Sequence, residues 1–210
     1  TLTGKDGSSR VLLDGLHGRA RPGRILAIFG PSGSGKTTLL NTIAGQLPYS
    51  KSLGLEGYIT ANGSKMPSSK FKTGFVAQED LFFSQLTVRE TLTMAAELRA
   101  KESSTAEERS EVVESVIRRL GLSKCSDTVI GDAKTRGLSG GEKKRLAIAC
   151  EMISRPQMIM ADEPTSGLDA FGAQQAVRAL KDLASEGNTV IMSIHQPRSS
   201  IFDMLDDICL

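Results

Sequence analysis

Short runs of mainly apolar residues along the chain predict buried strands. These runs lie at residues 24–29, 73–77, 157–161 and 189–194. Their apolar residues follow one another instead of alternating with polar ones, as is typical of strands covered on both faces. Helical patterns separate the runs, so the chain is predicted to have an α/β fold with a parallel sheet. A shorter strand at 57–61, followed by Asn62-Gly63, predicts a small hairpin.

Between the strands, apolar residues recur at the three- and four-residue spacing of helices. One helix is predicted from Lys36 to a stop at Gly45, and another over residues 170–184. In the middle third, Ser or Thr followed by Glu predicts capping boxes that begin helices. These starts lie within residues 87–90, 104–108 and 139–142. The helical middle third is therefore expected to be an insertion into the α/β layer.

Composition narrows the classes of function. The chain has 210 residues, of which 39% are hydrophobic and 24% charged, as in ordinary globular domains. The net charge of only +2 and the lack of Trp argue against a nucleic-acid partner, since nucleic-acid binders usually have a clear basic excess. Two His residues exclude a His-rich metal site, and three scattered Cys residues fit a reducing compartment. No apolar run reaches about 18 residues, so no membrane span is expected.

Gly30–Thr37 match the pattern G-x-x-x-x-G-K-[ST] in full, between a predicted strand and a predicted helix. In this context the glycines allow backbone N–H groups to surround phosphate oxygens, and the helix N-terminus adds partial positive charge. We expect Lys36 to reach the β- and γ-phosphates and the Thr37 hydroxyl to ligate Mg²⁺. A glycine-rich turn without function is disfavoured, because strand, loop, lysine and helix all agree.

Two acidic residues, Asp162 and Glu163, come directly after the apolar strand at 157–161. Ligands bind at the carboxyl edge of such parallel sheets. We therefore expect Asp162 to hold Mg²⁺ through water and Glu163 to act as the base that polarises an attacking water. Capping of the next helix is the simpler alternative, and the complete phosphate loop makes it the less favoured one.

Residues 137–141 contain Ser139 at the start of a predicted helix, followed by two glycines. The same residues match the G-x-S-x-G turn of α/β-hydrolases, but that turn needs a buried strand before the serine, and the preceding residues are polar. A second anion site at the helix N-terminus is the better interpretation. One chain cannot easily bring both anion sites, the phosphate loop and this helix start, to one triphosphate. Two chains that face each other can, with one site supplied by each chain. His195, at the end of the strand 189–194, is expected to contact the γ-phosphate.

In this order, the motifs resemble the nucleotide-binding domain of ATP-binding cassette (ABC) transporters. The phosphate loop is similar to Walker A, Gln78 to the Q-loop glutamine, and residues 138–142 to the LSGGE signature. Residues 158–163 are similar to Walker B, 166–169 to the D-loop, and His195 to the switch histidine. Further stretches resemble the G subfamily of half-transporters, at residues 22–24, 74–80, 86–92, 140–145 and 194–197. Residues 82–85 and 131–134 resemble the plant members of that subfamily.

The resemblance implies a P-loop NTPase (RecA-like) core with a mostly parallel sheet, a small antiparallel β subdomain and an inserted helical signature subdomain. Residues 1–210 are then one domain, with the core in 1–78 and 155–210 and the helical subdomain in 79–154. We expect this domain to be cut from a longer chain at both ends, with the transmembrane domain outside it.

The resemblance also implies the site. ATP is expected to be bound by Gly30, Pro31, Ser32, Gly33, Ser34, Gly35, Lys36, Thr37, Thr38, Ser139, Gly140, Gly141 and Asp169. Mg²⁺ is expected on Thr37, Gln78 and Asp162, and hydrolysis is assigned to Glu163, His195 and Gln78. The family's adenine-stacking aromatic residue has no counterpart, since residues 1–29 contain neither Tyr nor Trp before the loop. Either that residue lies before Thr1, or adenine stacks on an aliphatic side chain such as Val11.

The implied partners are a second nucleotide-binding domain, in a head-to-tail homo- or heterodimer, and the transmembrane domain of the same full-length chain. Ser139 and Gly141 would face the partner's γ-phosphate. The domain would then be an ATPase on the cytoplasmic face of a membrane, powering transport. The alternative is a soluble ABC-type ATPase acting on ribosomes or DNA, which the compact middle segment disfavours. A P-loop kinase is excluded, because nothing in kinases explains the LSGGE segment.

Overall fold

A five-stranded parallel sheet forms the centre of the structure. The computed structural model describes residues 1–3, 9–47, 52–66, 71–99 and 104–210. Neighbouring strands are parallel throughout this sheet. In spatial order the strands are β6 (Thr73–Val76), β7 (Met158–Ala161), β8 (Thr189–Ile194), β3 (Ile25–Phe29) and β9 (Asp207–Cys209). The predicted α/β fold with a mainly parallel sheet is confirmed.

The described residues form six α-helices. They are α1 (Lys36–Ala44), α2 (Val88–Arg99), α3 (Ala106–Arg119), α4 (Gly140–Met152), α5 (Ala170–Ser185) and α6 (Ser199–Phe202). The three predicted capping boxes are present, with Thr87, Thr105 and Ser139 as the capping residues. The short helix α6 and a 3-10 turn at Ser123–Cys125 were not indicated by the sequence pattern.

Helices cover both faces of the sheet. On β7, Met158 and Met160 belong to the buried cluster that includes Leu40 of α1. The alternating residues Ile159 and Ala161 belong to a second cluster, on the side of α4 and α5. Successive strand residues point to opposite faces, so all four β7 residues are buried. This two-sided cover explains why the strand sequence is apolar without alternation.

Helices α2, α3 and α4 lie between β6 and β7 along the chain, and they pack on one another. Val88 and Leu92 of α2, Ile117 of α3 and Leu146 of α4 are at most 1% exposed. Their cluster is continuous with the face of the sheet that α5 covers. The inserted helices therefore share a core with the sheet. None of the helices in the described part of the chain has the length and apolar character that a membrane crossing requires.

Two small antiparallel hairpins lie outside the central sheet. In one, β4 (Thr60–Ala61) pairs with β5 (Ser64–Lys65). Asn62 and Gly63 join them with φ values of 49° and 79°, and positive φ at both positions is what a type I′ turn requires. The strand predicted from Gly57 is thus shorter than expected. The second hairpin, which the pattern did not indicate, consists of β1 (Leu2–Thr3) and β2 (Ser9–Arg10).

Charged side chains hold the edge strand β9 beside β3. The Arg24 guanidinium donates to both carboxylate oxygens of Asp207, at 2.7 and 2.8 Å. The Asp206 carboxylate accepts from the Ile25 N–H at 2.8 Å and from Lys181 Nζ at 2.6 Å. Desolvation alone raises the pKa of Asp206, but these bonds and charges outweigh it and hold the pKa below its ordinary value. These contacts set the position of β9 in the sheet.

Helices α4 and α5 are in backbone contact at two glycines. A Cβ atom at Gly141 would lie 2.8 Å from the Cα atom of Gly172. A Cβ atom at Gly172 would lie 3.2 Å from the Cα atom of Gly141. A side chain at either position would force the first turns of the two helices apart. This glycine pair therefore fixes the N-terminus of α4 beside that of α5.

We expect Gly141→Ala to lower the free energy of unfolding by about 1–3 kcal/mol, because the methyl group has no space between two backbones. Chemical denaturation measures the difference. Gly18→Ala is the matched control, since nothing lies within 4 Å of a Cβ atom there, and it should stay within about 0.5 kcal/mol of the wild type. Equal stability of Gly141→Ala and the wild type would contradict the close packing.

Candidate functional site

The loop between β3 and α1 depends on glycine. Gly35, directly before α1, has a φ of 96°, in the left-handed region that side chains rarely adopt. A Cβ atom at Gly30 would lie 2.5 Å from Oγ of Ser34, so the loop can fold back on itself only without a side chain there. The loop leads into α1, whose first N–H groups have no partner within the helix and carry partial positive charge. The loop and helix together suit an anion.

The ammonium group of Lys36 is buried inside this loop. The residue is only 6% exposed, and Nζ donates to the carbonyl oxygens of Gly30 and Pro31, both at 3.0 Å. Oε1 of Glu163 lies 3.8 Å from Nζ. A buried cation is stable only when it is paired and hydrogen-bonded. Lys36 is thus a positive charge held at the loop, with one carboxylate at ion-pair distance.

The carboxyl ends of β7 and β8 present a connected set of polar groups. Asp162 is 3% exposed and Ser193 is fully buried. Ser193 Oγ donates to Oδ1 of Asp162 at 2.5 Å and accepts from the Glu163 N–H at 2.8 Å. Glu163 has a φ of 44°, which is uncommon for a residue with a side chain. One serine hydroxyl therefore links the two acidic residues and holds the strained backbone at Glu163.

Ser193 was not among the residues that the sequence predicted for the site. It is a polar residue in a strand that is apolar apart from Thr189 at its start, and it lies two positions before His195. A lone serine in a buried strand is a weak signal, and its contact with Asp162 depends on the pairing of β7 with β8, where Ala161 lies opposite Met192. That pairing brings the hydroxyl to the acidic pair.

Gln78 follows β6 at the same edge of the sheet. Its Nε2 donates to Oε2 of Glu163 at 3.4 Å, so the amide and the carboxylate are neighbours. Both line a cavity of about 420 Å³. The residues that line it are Arg10, Val11, Leu12, Ser32, Gly33, Gly35, Lys36, Thr37, Thr38, Gln78 and Glu163. The structure thus brings most of the phosphate loop, the glutamine and the glutamate to one cavity. Asp162 precedes Glu163 in the chain but is not part of the cavity lining.

Other predicted site residues lie outside this cavity. Ser139 and Gly140 are exposed, and Gly141 is buried against Gly172. Ser139 caps α4: its hydroxyl accepts from the Glu142 N–H at 3.3 Å and donates to the Glu142 carboxylate at 2.8 Å. Desolvation raises the pKa of Glu142, but the bonds from Ser139 outweigh it and keep the pKa below its ordinary value. Residues 131–138, all of them described, contain no strand. The serine therefore lacks the preceding strand that the G-x-S-x-G turn of α/β-hydrolases needs.

Asp169 and His195 also lie apart from the cavity lining. Asp169 caps α5, where its Oδ1 accepts from the Gly172 N–H at 3.1 Å. His195 follows β8 and is exposed, and the next residue, Gln196, has a φ of 42°. The described chain therefore holds two separate groups of predicted residues. One surrounds the cavity, and the other lies at exposed helix starts and at a strand end.

Comparison with known proteins gives consistent matches. The family model for ABC transporters matches residues 13–166. ABC transporter G family member 7 of Arabidopsis thaliana is 59% identical over 203 residues, covering 97% of this chain and 28% of that protein. Members 25 and 13 of the same family and plant are 49% and 45% identical, covering 96% and 98% of this chain and 30% of each relative. The chain thus spans less than a third of these relatives.

The family match includes the phosphate loop, Gln78, the signature segment and the acidic pair Asp162-Glu163. The relatives cover nearly the whole chain, so the resemblance to the G subfamily, including its plant members, is confirmed. ATP is the nucleotide that the family match implies. The sequence motifs, the parallel sheet and the loop at its carboxyl edge all agree with these matches, and the chain belongs to the ABC transporter family, as a nucleotide-binding domain.

Proposed function

We propose that this domain binds ATP with Mg²⁺ and hydrolyses it to drive transport across a membrane. The observation that carries the proposal is the cavity that Lys36, Thr37, Gln78 and Glu163 line together. Its volume of about 420 Å³ is in the range of ligand sites. It lies where β3, β6 and β7 end, at the edge at which sheets of this kind bind ligands.

The triphosphate is assigned to the loop 30–38. Backbone N–H groups of the loop and of the first turn of α1 donate to the phosphate oxygens. The Lys36 ammonium contacts the β- and γ-phosphates. It has three N–H donors, so it either gives up its bonds to the carbonyls of Gly30 and Pro31 or divides its donors between them and the phosphates. Val11 lines the same cavity and is 58% exposed. This supports stacking of adenine on an aliphatic side chain instead of an aromatic one.

The donor set also fits Mg²⁺. The Thr37 hydroxyl, the Gln78 amide oxygen and the buried carboxylate of Asp162 are the hard oxygen ligands that Mg²⁺ prefers. Among the described residues, no three Asp, Glu, His or Cys side chains are arranged so that they could hold a metal ion by themselves. A bound cation would therefore take its other ligands from phosphate and water, as is usual for this metal. When bound, it neutralises charge on the phosphates.

Hydrolysis is assigned to Glu163. Water attacks the γ-phosphorus, the bond to the β–γ bridging oxygen breaks, and Glu163 accepts the proton that the water loses. Gln78, 3.4 Å from Glu163, orients the water. His195 donates to the γ-phosphate from the end of β8. Ser193 keeps the Glu163 backbone in place, so the carboxylate is held on the side of the cavity.

The second anion site acts on another chain's nucleotide. Ser139 and Gly140 are exposed and do not line the cavity of their own chain, while the N-terminus of α4 carries partial positive charge. A head-to-tail dimer would place Ser139, Gly140, Gly141 and Asp169 of one domain against the phosphates of the other. The partner is a second nucleotide-binding domain, identical or homologous.

Transport is proposed because the relatives are named as transporters and the chain spans less than a third of them. The membrane-spanning part is assigned to the remainder of the full-length protein, with this domain on the cytoplasmic face. The alternative of an ABC-type ATPase that acts on ribosomes or DNA is not favoured, because these relatives' names support transport.

Glu163→Gln should abolish hydrolysis and retain ATP binding. The amide has the same shape but cannot accept a proton, which costs about 10²- to 10⁴-fold in kcat. Phosphate release from ATP by the intact protein, with nucleotide binding measured in parallel, tests this. Glu97→Gln, an exposed carboxylate on α2, is the matched control and should behave as the wild type. Wild-type turnover in Glu163→Gln would remove Glu163 from the mechanism.

Ser139→Arg tests whether the signature acts on the partner's nucleotide. Loss of the cap costs about 1 kcal/mol, and the long side chain obstructs the dimer interface. Binding of ATP to one chain should survive, because the cavity is intact, whereas dimerisation and hydrolysis should fail together. Loss of ATP binding by the isolated mutant chain would mean that the signature belongs to its own chain's site.

Mixing Ser139→Arg with Lys36→Ala, in the intact protein and under conditions in which mixed dimers still form, sharpens this test. In the heterodimer, one composite site carries both changes and the other carries none. Part of the ATPase activity should therefore return on mixing, whereas neither mutant has activity by itself. Mixing two preparations of the same mutant is the control, and it should restore nothing.

A further inference from the structure

Two lysines are buried in the described part of the chain, Lys36 and Lys144. Burying a lysine is costly and rare unless its ammonium is paired and hydrogen-bonded. Lys36 is accounted for by the proposed phosphate site. Lys144, which is 2% exposed, lies on α4 and has no part in the function described so far.

The Lys144 ammonium binds the loop that contains Gln78. Nζ donates to the carbonyl oxygens of Ala77 and Gln78, at 3.1 and 2.9 Å, and to Oδ1 of Asp80, at 2.8 Å. An ammonium has three N–H donors, and the acceptors of all three lie within residues 77–80. The Asp80 side chain is only 14% exposed, so the ion pair is well removed from water.

Strand β6 ends at Val76, whose carbonyl accepts from the Asp162 N–H at 2.9 Å. Beyond this point the carbonyls of Ala77 and Gln78 have Lys144 as their described partner. The loop therefore takes its position from α4 and no longer from the sheet. The Gln78 side chain extends from this loop to Glu163, 3.4 Å away.

The same helix begins at the signature. Ser139 caps α4, and Lys144 follows five residues later, about 7.5 Å along a rigid helix. A displacement of α4 that moves Ser139 thus also moves Lys144 and the Gln78 carbonyl bound to it. We infer that Lys144 is a positioning residue that couples the signature helix to Gln78, so that Gln78 faces Glu163 only when α4 is correctly placed. This inference rests on the proposed ATPase function.

The test begins with Lys144→Met in the intact protein, with kcat and KM for ATP measured. The thioether removes all three donors and keeps a long apolar chain. We expect kcat to fall about 10- to 100-fold, the cost of a misplaced catalytic group, while KM stays near the wild-type value because Lys36 and the loop are unchanged. Lys143→Met is the matched control: Lys143 Nζ donates to the Gly131 carbonyl at 2.9 Å and, in the described structure, to no acceptor in residues 77–80, so kcat should be unchanged.

A double-mutant cycle with Gln78→Ala separates positioning from mere stabilisation. If Lys144 acts through Gln78, Lys144→Met should lower kcat no further once Gln78 is already alanine. Multiplied effects of the two changes would overturn the inference. Wild-type turnover in Gln78→Ala would overturn it as well, because Lys144 would then have nothing to position.

Lys144→Arg is carried through the same cycle, so that the test does not depend on the folding of Lys144→Met. The guanidinium keeps the charge but cannot place its donors where the ammonium has them, and a smaller loss of kcat, again absent in the Gln78→Ala background, is expected. A wild-type protein without ATPase activity would overturn the proposed function and this inference together. Active wild type with undiminished Lys144→Met and Lys144→Arg variants would overturn this inference alone.

Discussion

The buried ammonium of Lys36 is the charge around which the site is arranged. Its present partners are two loop carbonyls at 3.0 Å, and the Glu163 carboxylate lies 3.8 Å away. A cation held this way favours an anion beside it, since buried charges are stable when paired. The glycine loop, the N-terminus of α1 and the carboxyl edge of the parallel sheet all bring their positive or polar groups to the same place. In the proposed function, a phosphate chain satisfies them together.

The groups that we propose for hydrolysis take their positions from non-local contacts. Ser193 joins Asp162 and Glu163 across neighbouring strands, and Lys144 joins the Gln78 loop to helix α4. The Gly141–Gly172 contact in turn fixes the start of α4 against α5. The signature, although it lies outside the cavity, is thereby connected mechanically to the residues around the cavity. Such a connection suits a reaction that the proposal divides between two chains.

The parts of the structure that the sequence predicted are local. Four central strands were visible as apolar runs, and three helix starts as capping boxes of Ser or Thr with Glu. The missed parts depend on pairing between distant segments. Ser193 matters only because β8 lies beside β7, and the partners of Lys144 are more than sixty residues away. The hairpin of β1 and β2 was missed because strands of two residues leave no periodic pattern.

Calorimetric titration of the chain with ATP and Mg²⁺ tests the central claim most directly, with Lys36→Ala compared with the wild type. Lys124→Ala, an exposed lysine, serves as the control. The account predicts that the wild type and Lys124→Ala bind ATP equally, and that Lys36→Ala loses affinity about 10- to 100-fold, the contribution of a hydrogen bond to a charged group. Equal affinity in Lys36→Ala and the wild type would contradict the assignment of the loop to the triphosphate.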